Sequence, residues 1–263
     1  MRLRWVLGAG LGFALVAGTP VALASSASGS VRPSMTTAAP CTSASYDLTV
    51  GVATSGTTWT VSAMGQVDFV HDDLTANVTL PSNLPVPALA GATLQVELVD
   101  GTAYVAVPPA LAGFVGGAPW VSIALPSGIS RGIDGLLARG ATWCANSQSL
   151  VRTLARGSSV SSLNTASTGT RGQEVRVPGR NILPALHVPK ALTTKAQGSF
   201  GTGQVPVDVW SSGQGHLQGI NFTAPSISVN LQLSETNQPV TITAPTGAVP
   251  LAPGLVGLLG GLL

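Results

Sequence analysis

Few residues in this sequence have the types and spacing that catalysis requires. Gly128 to Gly132 reads G-I-S-R-G, which fits the G-x-S-x-G pattern of serine hydrolases. Ser130 would then be the nucleophile, with His187 or His216 as its base. Asp208 would orient that base. The motif belongs to parallel sheets with crossover helices, and so short a pattern arises easily among 32 glycines. We therefore do not expect an enzyme.

The run His71-Asp72-Asp73 has the side chains of half a metal site. Imidazole and carboxylate groups are common metal ligands, but a site needs a second group of ligands at a suitable spacing. The sequence offers no such group, so we interpret the run as a solvated turn. We expect no metal and no cofactor.

The first 24 residues have the three parts of a secretory leader. Arg2 and Arg4 form a positive start, Trp5 to Val21 is apolar, and Ala22-Leu23-Ala24 supplies small residues for cleavage. The alternative, a membrane anchor, needs a longer apolar span. We therefore expect a signal peptide at 1–24 and an exported protein of the periplasm, cell envelope or medium.

Composition narrows the class of partner. The chain has 263 residues, of which 44% are hydrophobic and 8% are charged. Removing the leader takes away two arginines and no acidic residue, which leaves 10 basic and 10 acidic residues. Because nucleic-acid phosphates demand a basic surface, nucleic acid is excluded as an expected partner.

The chain contains two cysteines, Cys41 and Cys144. In an exported protein an even pair predicts one disulfide. The alternative is that Cys41 is lipid-modified. A lipoprotein leader places its cysteine directly after the apolar region, whereas Cys41 lies about twenty residues further on. We favour the disulfide.

Most of the chain alternates apolar and polar residues, which is typical of half-buried strands. The clearest stretch, residues 205–245, predicts an antiparallel meander with turns at 211–215 and 237–239. Further strands are predicted within 46–80, 94–107, 120–125 and 173–177. The apolar positions of the meander are Val205, Val207, Val209, Ile220, Phe222, Ile227, Val229, Leu231, Leu233, Val240 and Ile242.

Between the two groups of strands the apolar spacing changes from two to three and four. Ile133, Leu136 and Leu137 predict one short helix, and Leu150, Val151 and Leu154 predict a second. Asn146 or Ser147 is the expected cap of the second helix. A third short helix is predicted around Ile182 to Leu186. Strands, then helices, then strands indicate an α+β fold: a curved antiparallel sheet, with short helices covering its concave face around an apolar cavity.

Several segments resemble the mycobacterial LppX/LprG-type envelope lipid carriers, a family with a LolA-like half-barrel fold. Val205-Pro206-Val207-Asp208-Val209-Trp210, a turn ending at Gly215, and then Leu217 are similar to its "lpvdvW…G.l" hairpin. Val229 to Pro245 looks like its closing "v.l.lsd.g.pv.i.aP". Val99 to Val105, followed by Trp120, is similar to its "v.g.aYv…W" segment. The order of these segments matches over roughly residues 45–245.

The resemblance implies an open half-barrel that holds acyl chains of lipids or lipoglycans and carries them, with a membrane surface as a further partner. Together with the apolar faces it suggests these lipid-binding residues: Leu94, Val96, Leu98, Tyr104, Val121, Ile123, Leu136, Leu154, Val207, Val209, Ile220, Phe222, Val229 and Leu231. The expected organisation is a signal peptide (1–24), a flexible linker (25–40), a lipid-binding domain (41–245) and an apolar tail (246–263). One departure is that many members carry a cysteine at the end of the leader, which this chain lacks.

The apolar faces have a second explanation that needs no ligand. Most apolar sheet faces are filled cores, and the same positions would serve equally in a structural or adhesive envelope domain. The small number of aromatic residues favours a cavity, because Val, Leu, Ala and Ile fill less volume. Both hypotheses make the size of the internal cavity the deciding observation.

Overall fold

The structure is a computed structural model that describes residues 39–54, 56–84, 87, 89–125, 127–156, 159–163, 170–186 and 200–251. The leader, most of the linker and the end of the tail lie outside these ranges. The strands are β1 (Ser43–Thr54), β2 (Thr57–Asp68), β3 (Asp73–Thr79), β4 (Thr93–Val99), β5 (Thr102–Ala106), β6 (Trp120–Ala124), β7 (Ser159–Leu163), β8 (Thr170–Pro178), β9 (Gln204–Ser212), β10 (Leu217–Ala224), β11 (Ile227–Ser234) and β12 (Ala248–Pro250).

All twelve strands belong to one sheet, in the order β12-β6-β5-β4-β3-β2-β1-β11-β10-β9-β8-β7. Every neighbouring pair is antiparallel except β12 and β6. β7 and β12 are the edges of the described sheet, so the sheet does not close. The first and last groups of strands meet where β1 pairs with β11, which makes these two strands the centre of the sheet.

Alternation along the strands gives the sheet one buried and one exposed face. On β9, Val205, Val207 and Val209 are buried, whereas Gln204, which precedes them, and Pro206, which lies between two of them, are exposed. Antiparallel sheets commonly keep one face in the core and the other in water. The sequence predicted the part of the antiparallel meander formed by β9, β10 and β11, and its buried side.

The β4–β5 hairpin shows how local sequence sets the register. Asp100 and Gly101 both have positive φ, at 50° and 71°. A two-residue turn of this kind matches the twist of the flanking strands, and Asp-Gly is well suited to it. The turn places Val99 opposite Thr102 and Leu98 opposite Ala103, as the predicted hairpin requires.

Three α-helices and one 3-10 helix accompany the sheet in the described part of the chain. They are α1 (Ser127–Ala145), α2 (Ser147–Leu154), α3 (Gly179–Ala185) and a 3-10 helix at Pro109–Val115. Asn146 caps α2, since its side-chain oxygen accepts a hydrogen bond from the N–H of Gln148 at 3.1 Å. α1 is much longer than the apolar spacing predicted, because its glycines interrupt the hydrophobic pattern.

A disulfide joins Cys41, just before β1, to Cys144 near the end of α1. The N–H of Cys41 also donates to the carbonyl of Ala141 at 3.0 Å. The predicted pairing is therefore present, and the lipid-modified alternative for Cys41 is not. This bond fixes the C-terminal end of α1 to the central strand of the sheet.

The strand predicted at Val240 and Ile242 is wrong. β11 ends at Ser234, and the N–H of Asn237 then donates to the carbonyl of Ser43. The residues that follow pair with no strand until β12. β12 pairs with β6, which lies five strands from β1 in the sheet order. At about 4.8 Å per strand, this distance takes up most of the reach of the connecting residues.

Two strands were not predicted. β7 is a short edge strand of serines with one valine and one leucine, and four of its five residues are exposed, so no amphipathic pattern marks it. β12 falls within the segment expected to be an apolar tail. No helix among the described residues has the length and hydropathy needed to cross a bilayer.

Candidate binding site

An apolar cavity lies against the three central strands β1, β11 and β10. The strand register sets Leu48 beside Leu231, and Leu231 beside Ile220, so one row of aliphatic side chains crosses all three strands. A second row pairs Val229 with Phe222. Leu217 and Leu233 complete this floor of the cavity.

Helix α1 covers the floor with Leu136, Gly140 and Trp143. Spacings of four and three residues place these positions on one side of a helix. Phe69, just after β2, and Leu186, just after α3, close the flanks. Eleven of the twelve lining residues have apolar side chains, and the twelfth is Gly140.

The cavity has a volume of about 60 Å³. An apolar cavity of roughly 150 Å³ accommodates one benzene molecule, so this space holds less than that. An acyl chain would therefore fit only if α1 and the sheet moved apart. The cavity is therefore smaller than the volume for acyl chains that the sequence predicted.

A cationic side chain lies beside this lining. Arg139 directly precedes Gly140 and is one helical turn from both Leu136 and Trp143. Its Nη1 atom is buried without a hydrogen-bond partner in the described structure. Burial lowers the pKa of this guanidinium from its usual value, since desolvation disfavours the charged form. The group still carries a charge at neutral pH.

The cavity gathers five of the fourteen residues suggested by the sequence: Leu136, Ile220, Phe222, Val229 and Leu231. The others lie elsewhere. Val96, Leu98, Val121, Leu154, Val207 and Val209 are buried in the core, and Leu94 and Ile123 are half-buried. Tyr104 pairs with Glu97 and Ser122, and it therefore lies on the outer face of the sheet, away from the cavity.

Seven lining residues were not among those fourteen: Leu48, Phe69, Gly140, Trp143, Leu186, Leu217 and Leu233. Leu233 belongs to the alternating run of the meander, and Leu217 lies in the quoted hairpin, so both carried a signal. Leu48 lies beside Leu231 only because β1 pairs with β11. Gly140 has no side chain to mark a helix face, which also hid the position of Trp143.

The residues of the hydrolase hypothesis that the structure describes, Ser130, His216 and Asp208, are not brought together. Ser130 lies in the first turn of α1, not on a sharp turn between strand and helix. The N–H of Ser147 donates to the carbonyl of Gly215, so His216 lies near the other end of α1, roughly 22 Å along the axis. Asp208 is on the outer face of β9. His187 lies outside the described residues.

His71 and Asp72 lie in the turn between β2 and β3, and Asp73 is the first residue of β3. His71 Nδ1 lies 2.7 Å from the carboxylate of Asp68. Burial raises the pKa of Asp68, but hydrogen bonds from His71 and from the N–H groups of Val70 and His71 outweigh it, and the pKa is lowered. The same hydrogen bond raises the pKa of His71. No group of three or more metal-binding side chains occurs among the described residues.

Comparison with known proteins yields no matching family model and no matching curated protein. The fold is similar to that of two mycobacterial proteins. LprF from Mycobacterium bovis is 15% identical, with a TM-score of 0.45 over 79% of this chain and 90% of that chain. The Mycobacterium tuberculosis lipoprotein LppX is 13% identical, with a TM-score of 0.41 over 77% of this chain and 90% of that chain.

A putative outer membrane lipoprotein-sorting protein domain from Vibrio parahaemolyticus is also similar. It is 9% identical, with a TM-score of 0.24 over 74% of this chain and 83% of that chain. Similarities this low carry no information about a ligand of this chain.

Proposed function

We propose that this protein is an exported carrier that binds acyl chains of lipids or lipoglycans between α1 and the centre of the sheet. The observation that supports this proposal is the composition of the cavity lining, which has no charged side chain, and not the cavity volume, which favours the filled-core alternative. The leader-like N-terminus supports export to the periplasm or cell envelope.

Apolar contacts alone are enough for the proposed binding. Each buried methylene contributes about 0.8 kcal/mol, so a long chain gains much free energy without any ion pair. Aliphatic walls suit this role because they accept chains of different length and saturation with little change in contact. No catalytic group is needed, and the polar head stays at the mouth of the cavity.

The 60 Å³ cavity is the closed, empty state in this proposal. The disulfide fixes the C-terminal end of α1, so the helix opens by moving its N-terminal end away from the sheet. Such movement opens the space toward the β4–β5 turn, because a Cβ at Gly101 would lie 2.9 Å from the Oγ of Ser130 in the first turn of α1.

Arg139 is the proposed contact for an anionic head group. Its buried Nη1 lacks a partner in the described structure and lies within one turn of the cavity lining on α1. A phosphate or carboxylate oxygen would accept the missing hydrogen bond. The proposal therefore favours anionic lipids over zwitterionic ones.

The small cavity favours one alternative, a structural or adhesive envelope domain with a filled core. In such a domain the 60 Å³ space is a packing defect, and α1 never leaves the sheet. The two functions differ in one measurable property, which is whether the cavity can be enlarged by an apolar chain.

Substitution of Gly140 separates these functions. Gly140→Leu places a side chain in the cavity, and we expect displacement of a fluorescent fatty acid to show at least tenfold weaker binding than wild type. Gly135→Leu is the matched control, since a Cβ at Gly135 meets nothing within 4 Å and the residue does not line the cavity. Equal binding by wild type and both variants, or no binding by folded wild type, would overturn the carrier proposal.

A further inference from the structure

The outer face of the sheet carries a second concavity, on β9, β10 and β11. Its volume is about 280 Å³, close to the lower end of the roughly 300–1,000 Å³ found for small-molecule sites. The residues around it are Trp210, Gln218, Gly219, Ile220, Asn221, Asn230, Leu231 and Gln232. Ile220 and Leu231 point their side chains into the core, so the exposed side chains are one indole and four amides.

Backbone irregularity creates this cleft. Gly219 lies opposite both Trp210 and Gln232, and Gln218 is an extra residue that shifts the register of β10. A Cβ at Gly219 would lie 2.9 Å from the carbonyl oxygen of Leu231, so the floor of the cleft is bare backbone. Bulges of this kind often re-aim side chains at sites of function.

The indole of Trp210 is held against the neighbouring strand. Gly172 on β8 lies opposite Trp210, and a Cβ there would be 2.6 Å from the indole ring. The ring therefore lies over Gly172 and is only half-buried. A large aromatic group fixed by its own packing loses little conformational entropy when a ligand binds to it.

The amide side chains are free to bind a ligand. Asn221 and Asn230 are direct cross-strand neighbours, and Gln232 lies in the same row as Gly219. None of these three side chains hydrogen-bonds to another described residue. Gln218 is oriented by the hydroxyl of Thr170, which donates to its Oε1 at 3.4 Å. Each amide offers both donors and an acceptor, the combination that a hydroxyl group needs.

We propose that this cleft is a carbohydrate-binding site for neutral sugars. A pyranose presents an apolar C–H face to an aromatic ring, and a rim of hydroxyl groups to the surrounding amides. The cleft is on the opposite face from the apolar cavity, so sugar binding here does not depend on the proposed carrier function.

The surrounding charges favour neutral over anionic sugars. Asp208 pairs with Asn221 at the side of the cleft, and Glu174 pairs with Asp208 on the next strand. Burial raises the pKa of Asp208, and the negative charge of Glu174 raises it further. A uronate or phosphosugar would add a third negative charge there.

The test is titration of the full protein with neutral glucan, mannan and galactan oligosaccharides, followed by NMR of the tryptophan indole N–H signals. We expect at least one series to shift the Trp210 signal, which Trp210→Phe identifies by its loss. Asn230→Ala and Gln232→Ala change exposed side chains only, and each should weaken binding about three- to tenfold.

Gln95→Ala is the matched control, because Gln95 is an exposed amide on the outer face of β4, far from the cleft in the sheet order. The affinity of Gln95→Ala for the oligosaccharide should equal that of wild type. The proposal fails if no series shifts the Trp210 signal at millimolar concentration. It also fails if Asn230→Ala and Gln232→Ala bind as wild type does, or if acidic oligosaccharides bind more tightly than neutral ones.

Discussion

At the scale of single residues, the described side chains with the chemistry for a reaction centre are not assembled into one. Ser130, His216 and Asp208 are separated by the fold, whereas His71 and Asp68 form a local pair within one turn. Their proximity in sequence made the turn predictable. The hydrogen bond between them depends on backbone geometry at Val70 and His71, which the sequence does not reveal.

The His71–Asp68 pair should make stability depend on pH. The raised pKa of His71 means that its contribution is complete below about pH 6.5 and is lost as pH rises through the folded-state pKa. The lowered pKa of Asp68 means that its contribution is complete above about pH 4 and is lost as pH falls further.

Denaturant unfolding of wild type and His71→Gln across pH tests this expectation. The difference in the free energy of unfolding should be largest between about pH 4 and 6.5, and should shrink above that range. A difference that stays constant from pH 5 to pH 9 would show that the pair does not couple folding to protonation.

Replacing Arg139 should raise stability and reduce lipid selectivity together. Arg139→Met removes a buried nitrogen without a described partner, so the free energy of unfolding should rise by about 1–2 kcal/mol. Preference for anionic over zwitterionic lipid should fall, as measured by competition binding. Arg152→Met, on the exposed side of α2, is the control. An unchanged preference for anionic lipid in Arg139→Met would show that Arg139 does not contact the head group.

At the scale of elements, period-two alternation predicted most of the strands, and period-three-and-four spacing predicted where helices occur. The prediction failed where the pattern was absent or misleading. β7 has no buried face, and Val240 and Ile242 alternate without pairing because the chain must cross to β6. α1 was predicted too short because its glycines conceal a continuous helix of 19 residues.

The disulfide is the strongest constraint on α1. It closes a loop with a sequence separation of 103 residues, so the chain-entropy model gives a contribution of roughly 4–5 kcal/mol. Cys41→Ser combined with Cys144→Ser should lower the free energy of unfolding by about that amount, as measured by chemical denaturation. A loss below about 1 kcal/mol would mean that the packing of α1 alone holds this end of the helix.

At the scale of the whole molecule, an open sheet of twelve strands has its helices on one face and an amide-rich cleft on the other. The α+β class and the curved sheet could be predicted, because alternation and order of elements determine them. The lining of the predicted cavity could not be, because it depends on how β1 meets β11 and on which side of α1 faces inward. Five of its twelve lining residues were nevertheless among those suggested by the sequence.

Entry of an apolar chain between α1 and the sheet can be measured directly through the fluorescence of Trp143. Its side chain lines the cavity and is only 7% exposed, so water-soluble quenchers reach it poorly. Titration with a brominated fatty acid should quench a saturable part of the tryptophan fluorescence, and Trp143→Phe should abolish that part. If the brominated chain leaves the emission unchanged, or quenches Trp143→Phe equally, no chain enters the cavity and the filled-core alternative stands.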